Sequence, residues 1–334
     1  MLRKQGAFSP RTDLALEIGM ELKEGQEEGY QIEGVGIETI EDDNLPIQTT
    51  CVHIMDDQGV AQMGKPKGRY ITIESTLMKE NNPEAHEVIV KIFAKELEKL
   101  LPQKKERHIM VVGLGNRYAT PDRLGPDVSG KVLVTRHIKQ QIPEAIDESV
   151  CELSSLTPGV MGLTGIETSE IIKGVAAQVK PDCIIAVDAL AARHIERINA
   201  TIQLTDTGIS PGAGVGNKRK QLNEETVGCK VIAVGVPTVI DAATLVNDTL
   251  DHLVKGMLQH APDHAFYKML EEVSTQEKYG MLQEILQPQM GNLFVTAKDI
   301  DEIIAQIGKI IYNGINMAVH PCIEDDDINH FIKR

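Results

Sequence analysis

Three short runs, HIMVVGLG (108–115), CIIAVDA (183–189) and KVIAVGVPTV (230–239), are apolar at nearly every position instead of every second one. A strand with one face in water alternates apolar and polar residues. A strand without alternation is covered on both faces, the condition of a parallel sheet between helices. The intervening segments carry helical spacing: roughly 126–140, IETSEIIKGVAAQV (166–179) and DAATLVNDTLDHLVKGML (241–258). Strand, helix, strand, helix with buried strands predicts an α/β fold: a doubly wound, mainly parallel sheet with helices on both faces.

Around this frame, TTCVHIM (49–55) and GRYITIES (68–75) read as an antiparallel strand pair, and VCELSSL (150–156) and INATIQLTD (198–206) as further strands. Asn81-Asn82-Pro83 opens a helix that Pro102 stops, with Pro in its first turn. Thr296-Ala-Lys-Asp299 resembles a capping box. The helix it starts presents Ile300, Ile303, Ile304, Ile307, Ile310 and Ile311 to the sheet. The stretch 259–291 is less regular and reads as an inserted helical excursion. No repeat or low-complexity linker divides the chain, which predicts one domain.

Aromatic residues are scarce, with no Trp, six Tyr and five Phe, so the core must be aliphatic and a stacking platform for bases is not expected. A net charge of −15 disfavours direct contact with nucleic acid or an anionic membrane. Five cysteines are scattered without CxxC or metal-ligand spacing, which reads as free thiols in a reducing compartment. Residues 1–13 lack the apolar region of a signal peptide, and no run of about 18 apolar residues occurs. The chain therefore reads as cytoplasmic, with no membrane partner.

In an open α/β sheet, ligands gather at the carboxyl ends of the strands. Asp122 follows VVGLGN, and Asp188 closes CIIAVD. Two carboxylates held close cannot easily both ionise, and such a pair can activate water and protonate a leaving nitrogen. The plainer alternatives are that Asp188 caps a helix over ALAARHIER and that Asp122 sits in an Asx turn after Pro121. Asp127, after Gly-Pro, suits the first turn of a helix. Two glycine-rich stretches, LTPGVMGLTGIETSE (156–170) and TGISPGAGVGNKRK (207–220), bring backbone N–H groups close to a ligand. Gly159, Gly162, Gly212, Gly214 and Gly216 are the candidate substrate-binding positions. Neither stretch is a P-loop, and Lys218-Arg219-Lys220 reads as a solvated patch or a contact for acidic groups. His108 begins a strand, and His137 and His194 fall on expected helices. No HExxH occurs, so neither a metal nor another cofactor is expected.

At this level of detail whole motifs are recognisable. FSPRTDLALE (8–17), VVGLGNRYATPDRLGPDV (111–128), PGVMGLTGIETSEII (158–172), IIAVDALAARHIERINATIQLTDTGISPGAGVGNKRK (184–220) and VGVPTVIDAAT (234–244) resemble the germination protease of spore-forming bacteria, in the same order over nearly the whole chain. That resemblance implies an endopeptidase that initiates degradation of small acid-soluble spore proteins, in the forespore and spore core. It further implies a fold related to hydrogenase-maturation endopeptidases, an unusual aspartic-type mechanism with catalytic acids at Asp122 and Asp188, and a homotetramer made as an inactive zymogen. The family cuts after an acid and before a large apolar residue, with Ala next and Glu two further on. Asp13-Leu14-Ala15-Leu16-Glu17 is similar to that pattern, which makes Asp13–Leu14 the expected self-cleavage site, 1–13 a pro-segment and 14–334 a single peptidase domain. Three basic groups and one acid leave residues 1–13 at +2 within a chain of −15, suited to docking on an acidic body. Two other classes remain open: a metal-dependent maturation endopeptidase of the related fold, and a non-enzymatic peptide- or nucleotide-binding module.

Overall fold

The computed structural model describes residues 12–23, 30–104, 106–147, 150–210, 220–260 and 293–321, with 273, 277, 280, 281 and 284 between the last two. Its centre is one sheet of strands β1 (Val35–Glu41), β2 (Gln48–Ile54), β3 (Gly68–Glu74), β4 (His108–Gly113), β5 (Glu152–Leu156), β6 (Cys183–Ala192), β7 (Thr201–Thr205) and β8 (Lys230–Asp241), in the order β1-β2-β3-β7-β8-β6-β4-β5. The short β9 (Phe294–Val295) pairs with the end of β8. From β8 to β5 the strands are parallel, which is where the unbroken apolar runs lie. The β1–β3 side is antiparallel, and β7 runs antiparallel to both its neighbours, joining the two halves.

Helices surround the sheet or join its strands: α1 (Ala15–Lys23), α2 (Asp57–Met63), α3 (Pro83–Leu100), α4 (Leu124–Ser129), α5 (Arg136–Gln141), α6 (Met161–Thr164), α7 (Thr168–Val179), α8 (Glu224–Val227), α9 (Ala242–His260) and α10 (Ile300–Val319). One sheet face, carrying Val111, Ile185, Val187, Ile232 and Val234, is buried under α3, α4 and α10. All six isoleucines expected to face inward from α10 are buried, each contributing about 2 kcal/mol relative to exposure. The other face carries Met110, Val112, Ile184 and Ala186 under α7. Val52, Ile54 and Tyr70 lie on it under α1 and α2.

Asn82 caps α3 as its sequence indicates, its side chain accepting from Ala85 N–H at 3.1 Å. Other expectations need correction. The helix foreseen over 126–140 is two helices, because the chain stops turning at Gly130 and the Thr135 hydroxyl is taken by Cys151 O and Leu153 N. No helix covers ALAARHIER. β6 runs on to Ala192 in register with β8, so Asp188 lies inside a strand, caps no helix, and His194 follows in a loop. Asp299 makes no side-chain capping bond, and the Thr296 hydroxyl donates instead to Thr238 O at 2.7 Å. Almost all of 259–291 lies outside the described residues.

Candidate active site

The chain leaves β4 at Gly113 but stays bonded to β6, with Leu114 N–H donating to Val187 O at 2.8 Å. Gly115 then turns with φ +112°, a region that L side chains rarely adopt. A Cβ there would stand 2.0 Å from Asp122 O. This turn folds the loop back on itself. Asn116 N–H donates to Asp122 Oδ2 at 2.8 Å, so the carboxylate closes the loop across six residues and is no local Asx turn. The loop's tip is a 3-10 turn, Thr120–Asp122, which touches β6 and β8. The Thr238 hydroxyl of β8 anchors it by donating to Pro121 O at 2.7 Å.

Gly125 seats the loop. A Cβ there would lie 2.2 Å from Leu114 O and 2.4 Å from Val187 O, so only glycine allows the start of α4 to rest on β6. Asp122 comes three residues before this contact, and Asp188 follows Val187. Because β4 ends opposite Val187, the contact brings the Asp122 loop to the part of β6 that holds Asp188. Asp188 is almost fully buried, and its Oδ1 accepts from Ala189 N–H at 3.0 Å. Asp127 takes the expected place in the first turn of α4 and pairs with Arg123 at 3.1 Å.

The segment before α1 is docked with more bonds than a frayed end would hold. Asp13 N–H donates to Ala191 O at 3.2 Å, and Asp13 Oδ2 accepts from Ala191 N–H at 3.1 Å, so a carboxylate stands where a strand partner's carbonyl would. Asp13 O receives Lys65 Nζ at 2.8 Å and Gln203 Nε2 at 3.3 Å, while Gln203 Oε1 accepts from Ala15 N–H at 2.8 Å. Leu14, between them, has no exposed surface. Glu17 is equally buried. Its carboxylate accepts from Arg193 N–H and His194 N–H, both at 2.9 Å, from Arg197 Nη1 at 3.5 Å, and from the Thr12 hydroxyl. Arg197 is shared with Glu74 at 2.8 Å. A cavity of about 480 Å³ beside this cluster is lined by Met20, Glu74, His194 and Arg197, and neither Asp122 nor Asp188 borders it.

Sequence reasoning missed Lys65, Gln203 and Arg197, and named Glu17 only as part of the cleavage pattern. The one signal was Glu17, an acid among Leu14, Ala15, Leu16 and Ile18. Lys65 is partly exposed as a residue, and its amine reaches in to Asp13 O. Burial lowers its pKa, an effect opposed by the nearby Asp13 and Glu17 carboxylates.

Of the glycine positions, Gly159 (φ +73°) lies in the turn after β5 and Gly162 in the short α6 that follows it, on the same sheet edge as the Asp122 loop. The Thr168 hydroxyl holds this turn by donating to Gly159 O at 3.1 Å. Gly212, Gly214 and Gly216, with Lys218 and Arg219, lie outside the described residues. The two glycine-rich stretches, 156–170 and 207–220, are approached from different edges of the sheet. Because β7 is antiparallel to β8, the chain leading into the second one departs from the opposite edge. Lys220 pairs with Glu170 at 3.5 Å, both exposed.

Burial pushes the Cys183 thiol up to about 12 and Cys229 to about 11, and raises Cys51 and Cys151 as well. These four are protonated and poor nucleophiles at neutral pH. Among the described residues, no group of three His, Cys, Asp or Glu is placed to hold a metal ion, and no helix is long and apolar enough to cross a membrane.

A mainly parallel sheet with helices on both faces places the chain among α/β proteins. The chain belongs to the germination protease family, whose model matches residues 14–266 and 256–332. It is 47% identical to the germination protease of Clostridium tetani over 97% of this chain and 100% of that one. It is 45% identical to that of Caldanaerobacter subterraneus over 96% and 98%, and 40% identical to that of Bacillus cereus over 96% of each. Among solved structures, a [NiFe] hydrogenase maturation protease HycI from Thermococcus kodakarensis aligns with a TM-score of 0.27 at 21% identity, covering 43% of this chain and 80% of that one. The chain is thus a protease of the spore-germination family.

Proposed function

We propose that this protease is an endopeptidase that initiates breakdown of small acid-soluble spore proteins in the germinating spore. Asp122 and Asp188 are its catalytic acids. One takes a proton from the attacking water and the other gives a proton to the leaving nitrogen, an aspartic-type mechanism that uses neither thiol nor metal. The observation that carries this reading is the seating of Gly125 on Val187 O, which draws the acid-bearing 3-10 turn against the strand that holds Asp188. The Gly159–Gly162 turn on the same edge is suited to hold a substrate's backbone.

The chain is made as an inactive precursor that cuts itself between Asp13 and Leu14, with 1–13 as pro-segment and 14–334 as the peptidase domain. Its working form is a homotetramer. Val246, Leu250, Leu253 and Met257 support that state, because they are exposed at helical spacing along α9. Asp122→Asn and Asp188→Asn should each stop self-processing and cleavage of spore-protein peptides while leaving the thermal unfolding curve native. Near-normal turnover in either variant would remove that residue from the mechanism.

A further inference from the structure

The Asp13–Leu14 bond is held on every side, and the groups that hold it are unequal. Asp13 N–H and its carboxylate are tied to Ala191, and Leu14 N–H donates to the Thr12 hydroxyl at 3.0 Å. The Asp13 carbonyl oxygen alone receives two side-chain donors, an ammonium at 2.8 Å and an amide N–H at 3.3 Å. Gln203 also accepts from Ala15 N–H, so one buried side chain grips the backbone on both sides of Leu14. We propose that Lys65 and Gln203 are the carbonyl-polarising pair for cleavage of the chain's own Asp13–Leu14 bond. The proposal rests on the self-cleavage reading above.

The chemistry follows from where charge develops. Water oxygen adds to the Asp13 carbonyl carbon, its proton passes to the basic member of the acid pair, and the carbonyl π electrons move onto oxygen. That oxygen is neutral before attack and negative after it, so the Lys65 ammonium binds the intermediate more strongly than the ground state. The C–N bond then breaks, Leu14 nitrogen takes a proton from the acidic member, and the carbonyl carbon remains as the carboxyl group of Asp13. An ammonium at 2.8 Å, with a buried amide donor at 3.3 Å beside it, is suited to this. The burial that lowers the lysine's pKa also weakens water's competition for the same charge. The Asp13 and Glu17 carboxylates oppose that lowering.

The test uses full-length chain and follows the appearance of a Leu14 N-terminus by mass spectrometry. Lys65→Met should slow processing by roughly 10²- to 10³-fold, the usual effect of removing one oxyanion donor. Lys65→Arg, which keeps a cation in reach, should recover at least part of that loss. Gln203→Met should slow processing about tenfold and serves as the second probe if Lys65→Met does not fold, as judged by thermal melting. Wild-type processing in a folded Lys65→Met or Gln203→Met chain, or equal loss in folded Lys65→Arg and Lys65→Met, overturns the proposal. Asp188→Asn separates the two levels. If it processes normally, the cleavage reading itself fails. If it is blocked while Lys65→Met is normal, only this inference fails.

Discussion

Asp188 and Gln203 stand at one level of the sheet and point to the same face, each paired with Gly235 of the strand between them. Thr72 of β3 continues the row beyond Gln203. Two strand spacings, about 10 Å, therefore separate a candidate catalytic acid from the side chain that grips Asp13 and Ala15. The row crosses the strip of sheet between α7 on one side and α1 and α2 on the other, so the N-terminal segment lies in the gap those helices leave.

Gly235→Ala tests how tightly that gap is built. A Cβ at Gly235 would stand 2.4 Å from Leu190 Cδ1, a side chain on the same face of β6. Leu190 must move, and its neighbours in the row are Asp188 and Gln203. We expect a loss of about 1–3 kcal/mol, typical of overpacking, with self-processing slowed at least tenfold. Urea unfolding measures the first and N-terminal mapping the second. Unchanged processing would mean that the row does not set the geometry of the reaction.

Gly115→Ala probes the loop that carries Asp122. The positive φ costs on the order of 1 kcal/mol for alanine, and the Cβ would also collide with Asp122 O. The variant should lose at least 2 kcal/mol in stability, with protease activity falling further than in an equally destabilised variant of α3. Full activity would show that Asp122 need not be held by this turn.

Glu17→Gln addresses the buried ion cluster. The amide keeps one acceptor, but its NH2 faces the N–H groups and guanidinium that the carboxylate now satisfies. Hydrogen bonds to charged groups contribute about 1.5–3 kcal/mol each, so a loss of 2–3 kcal/mol is expected, with faster proteolysis near α1. A loss below about 0.5 kcal/mol would show that the segment is held by Leu14 and Ala15 alone.

How much of this was legible in the sequence depends on the range of the interaction. The parallel half was readable because burial on both faces leaves unbroken apolar runs such as CIIAVDA, and α3 because Asn82 and Pro83 act within one turn. β1 was missed because VGIETIE sits at the sheet edge with its last residues exposed. Asp122 stood out as an acid after a glycine turn and Asp188 as the acid closing an apolar run, yet Asp188 was misplaced at a strand end because β6 outruns β4. Lys65 and Gln203 carried no signal. One follows a short helix and the other lies in an ordinary strand, and only the tertiary position of Asp13 gives them a shared role.

His320 sets a limit on how far acid can be used on this fold. It is fully buried at the end of α10, where its Nε2–H donates to Leu133 O at 3.2 Å and its Nδ1 has no partner among the described residues. Burial pushes its pKa down to about 4, and nearby Lys139 and Arg107 act in the same direction. An unfolded histidine titrates near 6.5. Above that pH both states are neutral and the residue adds no pH dependence. Between about 6.5 and 4 the unfolded chain binds a proton that the folded chain does not, so stability falls as pH falls. The loss approaches about 3 kcal/mol at pH 4 and grows no further below it. His108, also lowered by burial, adds a loss of the same sign. Urea unfolding of wild type and His320→Leu at pH 7 and pH 4.5 measures the effect. The variant should lose about 2–3 kcal/mol less than wild type between the two, whatever its stability at pH 7. Equal losses would mean that His320 is protonated in the folded chain or reaches solvent before unfolding.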